Sequence, residues 1–188
     1  MQMSGEYRIP APRQAVWDAL NDVEVLKQCI PGCEELVRNG EHAFDAKVVA
    51  KVGPVRAKFG GAVELSDIDP PNGYTISGQG QGGAAGFAKG GATVKLAEDG
   101  ADTVLSYTVD ATVGGKLAQI GSRLIDATAK KFADDFFSRF ADLVGGPAEE
   151  VAAAPAPAAE EAKGLPAYLW VGGLVAIVII ILLVFAYA

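Results

Sequence analysis

Two cysteines, Cys29 and Cys33, stand four apart in CIPGC, and the single histidine, His42, lies in the turn-like NGEH. A zinc set needs four such ligands in closely spaced pairs, and thioredoxin-type redox chemistry uses Cys-x-x-Cys, so neither is expected and the cysteines read as packing residues. Asp110 and Asp126 are carboxylates close to a predicted strand and a predicted helix, and Ser106 and Ser122 carry hydroxyls. Nothing pairs any of them with a base or a second acid, so no catalytic residue is assigned. The remaining unusual segment is GQGQGGAAGFAKGG, residues 78–91. A phosphate-cradling loop would run into a helix opening with Lys-Ser/Thr, and this one runs between strands, which excludes nucleotide binding of that kind.

Gly78, Gly80, Gly82, Ala84, Gly86, Ala88 and Gly90 fall at every second position. On the inner face of a sheet such residues leave open a space that Val or Leu would close, and they also permit strong curvature and bulges. The apolar walls expected around that space are Val16, Trp17, Leu20 and Leu26 from helices, Phe59 from the sheet, and Leu117, Ile120 and Leu124 from the start of a long helix. With Gly78 and Gly80 they form the candidate ligand-binding set, although each of the eight also suits ordinary core.

These residues need elements to position them. Glu6 and Arg8 alternate with Tyr7 and Ile9 in a first strand stopped by Pro10 and Pro12. Val16, Trp17 and Leu20 then share a helical face, and Asn21-Asp22 precedes a second short helix, VEVLKQC. From Glu34 to Val113 the period switches to two. Phe44, Ala46, Val48, Ala50 and Val52 oppose Asp45, Lys47 and Lys51, and turns are expected at Gly53-Pro54 and at residues 69–73. A single long helix is expected over residues 115–146, with Leu117, Ile120, Leu124, Thr128, Phe132, Phe136 and Phe140 on its buried row. The result is an α+β domain in which a curved antiparallel sheet wraps a long C-terminal helix, a helix-grip arrangement.

The domain is expected to span residues 1–146, followed by an Ala/Pro/Glu-rich flexible linker at 147–164 and a transmembrane tail anchor at 165–188. Leu169 to Ala186 carries no charge, and at about 1.5 Å per residue it is long enough for a hydrocarbon layer of about 30 Å. Tyr168, Trp170 and Tyr187 flank it as interfacial rings do. No basic and apolar leader opens the chain, so the expected placement is a single-pass C-terminal anchor in the cell (inner) membrane with the domain cytoplasmic. A helix packed on a partner protein is the alternative. A formal net charge of −7 without a Lys/Arg run argues against nucleic acid and against attraction to anionic lipid.

The segments SGEYRIPAPRQAVWDALND, LKQCIPGCEEL, KVGPV, DIDPPNGYTISGQGQGGAAGFAKGGA and VDATVGGKLAQIGSRLIDATAKKFADDFF, over about residues 3–145, closely resemble the CoxG family of carbon monoxide dehydrogenase subunits. That family belongs to the START-like helix-grip (SRPBCC) superfamily. The resemblance implies a membrane-anchored accessory protein that recruits a CO-dehydrogenase-type molybdenum hydroxylase and binds a respiratory quinone, menaquinone or ubiquinone, in an apolar cavity. No metal and no covalently held group is implied. Two alternatives stand beside it: a recruitment anchor without ligand, and a helix-grip enzyme.

Overall fold

The computed structural model describes residues 2–145. The linker at 147–164 and the tail anchor at 165–188 lie outside the described residues, and among those described no helix is long and apolar enough to cross a membrane.

Strand β1 (Gln2–Ile9) ends at Pro10, and helices α1 (Arg13–Leu20) and α2 (Val23–Cys29) follow. The Asp22 side chain caps α2, accepting from the amides of Glu24 at 2.8 Å and Val25 at 3.2 Å. Six further strands form a meander: β2 (Cys33–Arg38), β3 (Ala43–Val52), β4 (Val55–Asp69), β5 (Gly73–Gln81), β6 (Phe87–Asp99) and β7 (Asp102–Gly114). The sheet has seven antiparallel strands in the order β1-β7-β6-β5-β4-β3-β2. Because β1 and β2 sit on opposite edges, α1 and α2 must cross the open side between them. The expected alternation holds in β3, β4 and β7, whose inward residues are buried or, at Val55, Ala57 and Val113, partly buried, while Asp45, Lys47, Lys51, Arg56 and Lys58 are exposed.

The long helix differs from expectation. A one-turn helix α3 (Lys116–Gln119) comes first, and α4 (Ser122–Val144) starts after Gly121, whose φ of 94° breaks the helix. The break resets the phase, so α4 buries Ile125, Ala129, Ala133, Phe136, Phe137, Phe140 and Ala141. Leu124, placed on the buried row by spacing, is 42% exposed, and Thr128 and Phe132 lie on its flank. Ala129 and Ala133 let the helix axis come close to the sheet, and the phenylalanines fill the wider end.

A second difference concerns the glycine-rich segment. Gly82, Ala84 and Gly86 belong to the β5–β6 connection, which makes a 3₁₀ turn at Gly83–Ala85. Gly86, at φ 117°, lies so close to the Gly114 carbonyl that a Cβ would collide with it. Only Gly78 and Gly80 of β5, with Ala88 and Gly90 of β6, occupy inward strand positions, paired Gly78 to Gly90 and Gly80 to Ala88.

The core is anchored by aromatic rings. Tyr7 stacks on Phe137 at 4.1 Å and its hydroxyl donates to Asp134 Oδ1 at 2.6 Å. Tyr107 stacks on Phe137 from the next strand at 5.9 Å. Thr103, fully buried, donates to the Ala11 carbonyl at 2.7 Å, fastening the chain between β1 and α1 to β7.

Candidate functional site

A cavity of about 90 Å³ lies between the sheet, α1, α2 and α4. Leu20 of α1, Leu26 of α2 and Ile30 after it form one side, and Phe136 and Phe137 of α4 form another. The sheet supplies Leu36, Phe44, Val63, Leu65, Ile76, Val94 and Leu105. Every one of these side chains is a hydrocarbon. The exception in the wall is Tyr74 of β5, 7% exposed. Trp17 of α1 packs edge-on against its ring at 5.6 Å. No hydrogen bond to the Tyr74 hydroxyl forms among the described residues, and burial pushes its pKa well above the usual phenol range. A neutral donor in a hydrocarbon wall is a group that a ligand acceptor could satisfy.

The sequence-chosen set divides in the structure. Leu20 and Leu26 line the cavity, while Val16 and Trp17 are buried on the same two-helix side, Trp17 reaching the site through Tyr74. Phe59, Leu117, Ile120 and Leu124 gather instead at the far end of the domain. There a Cβ on Gly82 would meet the Phe59 ring, and one on Gly53 would lie 2.6 Å from Leu124 and 3.5 Å from Ile120. Phe59 and Leu117 are buried, Ile120 is half-buried and Leu124 is exposed. Gly80 is buried opposite Gly61. Gly78 borders a polar groove of about 590 Å³ together with Asp45, Glu64, Ser77, Gln79, Lys89 and Asp110. Spacing alone missed Tyr74, although it is in phase with Ile76 and Gly78 on the inner face of β5 and follows a strong Asn72-Gly73 turn signal.

The polar candidates do not converge. Asp110 is exposed on the outer face of β7, accepting from Gln2 at 3.0 Å, whereas Asp126 sits on α4, which packs on the inner face. Asp126 Oδ1 is buried without a hydrogen bond among the described residues. Cys29 and Cys33 are free thiols. Burial pushes the Cys29 thiol up to about 11, partly offset by Arg139, and burial likewise raises that of Cys33. No group of three or more His, Cys, Asp or Glu able to hold a metal occurs among the described residues.

Comparison with known proteins gives the fold and the family. A conserved protein from Geobacillus kaustophilus is 32% identical with a TM-score of 0.73, covering 77% of this chain and 95% of its own. The Zhui aromatase/cyclase from Streptomyces sp. R1128 is 14% identical with a TM-score of 0.56, over 77% of this chain and 93% of that one. Truncated norcoclaurine synthase from Thalictrum flavum is 17% identical with a TM-score of 0.54, over 77% and 92%. These last two share the helix-grip fold alone. A search of the curated proteins found no match. Residues 5–145 match the CoxG family of carbon monoxide dehydrogenase subunits, from the first strand to the end of α4. With the helix-grip architecture just described, that match places the chain in the carbon monoxide dehydrogenase CoxG family.

Proposed function

We propose that this protein is a membrane-anchored accessory subunit of a CO-dehydrogenase-type molybdenum hydroxylase, and that its domain carries a respiratory quinone between the bilayer and that enzyme. The observation that supports the carrier reading is the hydrocarbon cavity with one unpartnered hydroxyl, that of Tyr74. A quinone head is flat, apolar over its faces and ends in carbonyl acceptors, so it matches a wall of Leu, Val and Phe with a single donor. The anchor at 165–188 keeps the domain near the quinone pool, and the linker at 147–164 sets its reach. Tethering raises the local concentration of carrier at its partner to the millimolar range expected for short flexible linkers.

The cavity measures about 90 Å³. Apolar cavities of about 150 Å³ hold one benzene ring, so a quinone enters only if a wall moves. Helix α2 is that wall. It is seven residues long and packs on the domain through the buried Cys29 and the partly buried Val23, Val25 and Leu26. The same small volume supports a second reading, a recruitment anchor whose cavity stays shut. In both readings the chain binds and delivers without catalysing a reaction.

The test is ligand titration of the full chain in detergent with a short-chain quinone, following Tyr74→Phe. Loss of one net hydrogen bond of about 1.4 kcal/mol weakens binding roughly tenfold. Unchanged affinity removes Tyr74 from the site, and no binding by either protein favours the closed anchor.

A further inference from the structure

The acids of this chain are absent from three long stretches, residues 46–63, 70–97 and 111–125, although the formal charge is −7. The fold brings the middles of those stretches to one end of the domain. The β3–β4 turn meets the α3–α4 junction where Gly53 faces Ile120 and Leu124, and the β5–β6 connection meets the β7–α3 turn where Gly86 faces Gly114 and Gly115. Lys51 and Arg56 are cross-strand partners at this end. With Lys116 and Arg123 they are exposed and form no ion pair among the described residues. Leu124 and Phe87, each 42% exposed, stand among them. The opposite end is acidic: Glu98, Asp99 and Asp102 there hold Arg8 and Arg13 in ion pairs.

We propose that this loop end is a docking surface for anionic lipid headgroups, with Leu124 and Phe87 entering the interface and the cations binding phosphate around them. Exposed apolar side chains ringed by unpaired Lys and Arg match a bilayer surface, which offers a hydrocarbon boundary beneath negative charge. The opposed acidic end orients the domain in the same field. The proposal rests on the reading that residues 165–188 hold the chain at a bilayer.

The tether length fits this orientation. Helix α4 starts at the loop end and, with 23 residues at about 1.5 Å each, finishes roughly 35 Å away, where Gly145 packs on the Pro10 carbonyl. For the loop end to touch the membrane, the chain from Gly145 to Leu165 must cover that distance. About 20 residues reach at most roughly 70 Å when extended. Removing half of them leaves a reach of about 35 Å at full extension, too little without strain.

The experiment uses the full chain in vesicles of phosphatidylcholine, alone or mixed with phosphatidylglycerol, each carrying a quencher-bearing lipid. A fluorophore is placed at the loop end by Ala118→Cys, or at the acidic end by Ala101→Cys, with Cys33→Ser to remove the less buried native thiol. The Ala118 site is quenched in anionic vesicles, released by salt and unquenched in neutral ones, while the Ala101 site is unquenched in both. Arg56→Gln with Arg123→Gln lowers the docked-to-free ratio about 30-fold, at roughly fivefold per cation. Equal quenching in both lipids, none in anionic vesicles, or no effect of the double variant overturns the proposal. If that variant instead weakens only binding of the partner enzyme, the cations form a protein-docking face and the proposal is also overturned. Flotation scores the anchor separately: a chain that fails to float with neutral vesicles refutes the anchor, whereas quenching in anionic vesicles still supports docking.

Discussion

Val63 and Val94 face the apolar cavity from β4 and β6, 6% and 5% exposed, and changing both to Leu pushes two methylenes into it. Each buried methylene contributes about 0.8 kcal/mol, giving roughly 1.6 kcal/mol if the space accepts them. An independent bound comes from the void. A cavity of about 90 Å³ at roughly 24 cal/mol per Å³ carries a penalty of about 2 kcal/mol. The two figures agree that the space takes two methylenes. For a domain of about 145 residues this raises Tm by roughly 3–6 °C. The assay is thermal unfolding of the full chain in detergent, followed by near-ultraviolet circular dichroism, which reports the packed tyrosines and tryptophan. A double variant that melts below the parent shows overpacking, which means that the cavity is not there to be filled. A variant that melts higher and still supports electron transfer from the partner enzyme to quinone shows a closed cavity and leaves recruitment as the function.

Other perturbations report on other parts of the molecule. Thr103→Val keeps the shape but leaves the buried Ala11 carbonyl without its donor, costing about 1–3 kcal/mol in a urea melt; an unchanged midpoint contradicts that fastening role. Cys29 is fully buried with its pKa near 11, so a thiol alkylating agent at pH 8 modifies Cys33 first, and native Cys29 labelling at the rate of the unfolded chain contradicts the burial. Tyr7 and Tyr74 have pKa values raised in the folded state, Tyr7 by burial and then by its bond to Asp134, Tyr74 by burial. The unfolded chain therefore loses those protons first, near pH 10. Their contribution to stability is complete below that pH and declines above it, so chemical denaturation midpoints should fall through the alkaline range less steeply in Tyr74→Phe than in the parent.

Much of the architecture is legible from side-chain alternation because each strand buries one face only. Phe44 to Val52 and Leu105 to Val113 mark their inner faces without ambiguity, and Asp22 before VEVLKQC marks a capped helix. The errors share a cause, which is that spacing carries no backbone angle. Leu117, Ile120, Leu124 and Thr128 fit one continuous helix until Gly121 takes a positive φ and rotates the frame. Alternating Gly and Ala at residues 82–86 have too little side chain to distinguish strand from turn. The small residues drew attention to the end of the sheet near Gly80, whereas the described cavity lies toward α2, where larger side chains meet imperfectly. Tyr74 was readable by phase but has no motif. Nor does the gathering of Lys51, Arg56, Lys116 and Arg123 leave a mark in the sequence, since no run of basic residues contains them and only the meander brings their turns together.

Whether the domain carries quinone is read most directly by purifying the full chain from its own membranes and extracting the bound lipid for mass spectrometry. The Val63→Leu, Val94→Leu double variant serves as control for lipid held by the tail. A quinone carrier yields near-stoichiometric quinone from the parent and little from the filled variant. Equal amounts from both, or none from either, would contradict carriage and leave an anchor that recruits without carrying.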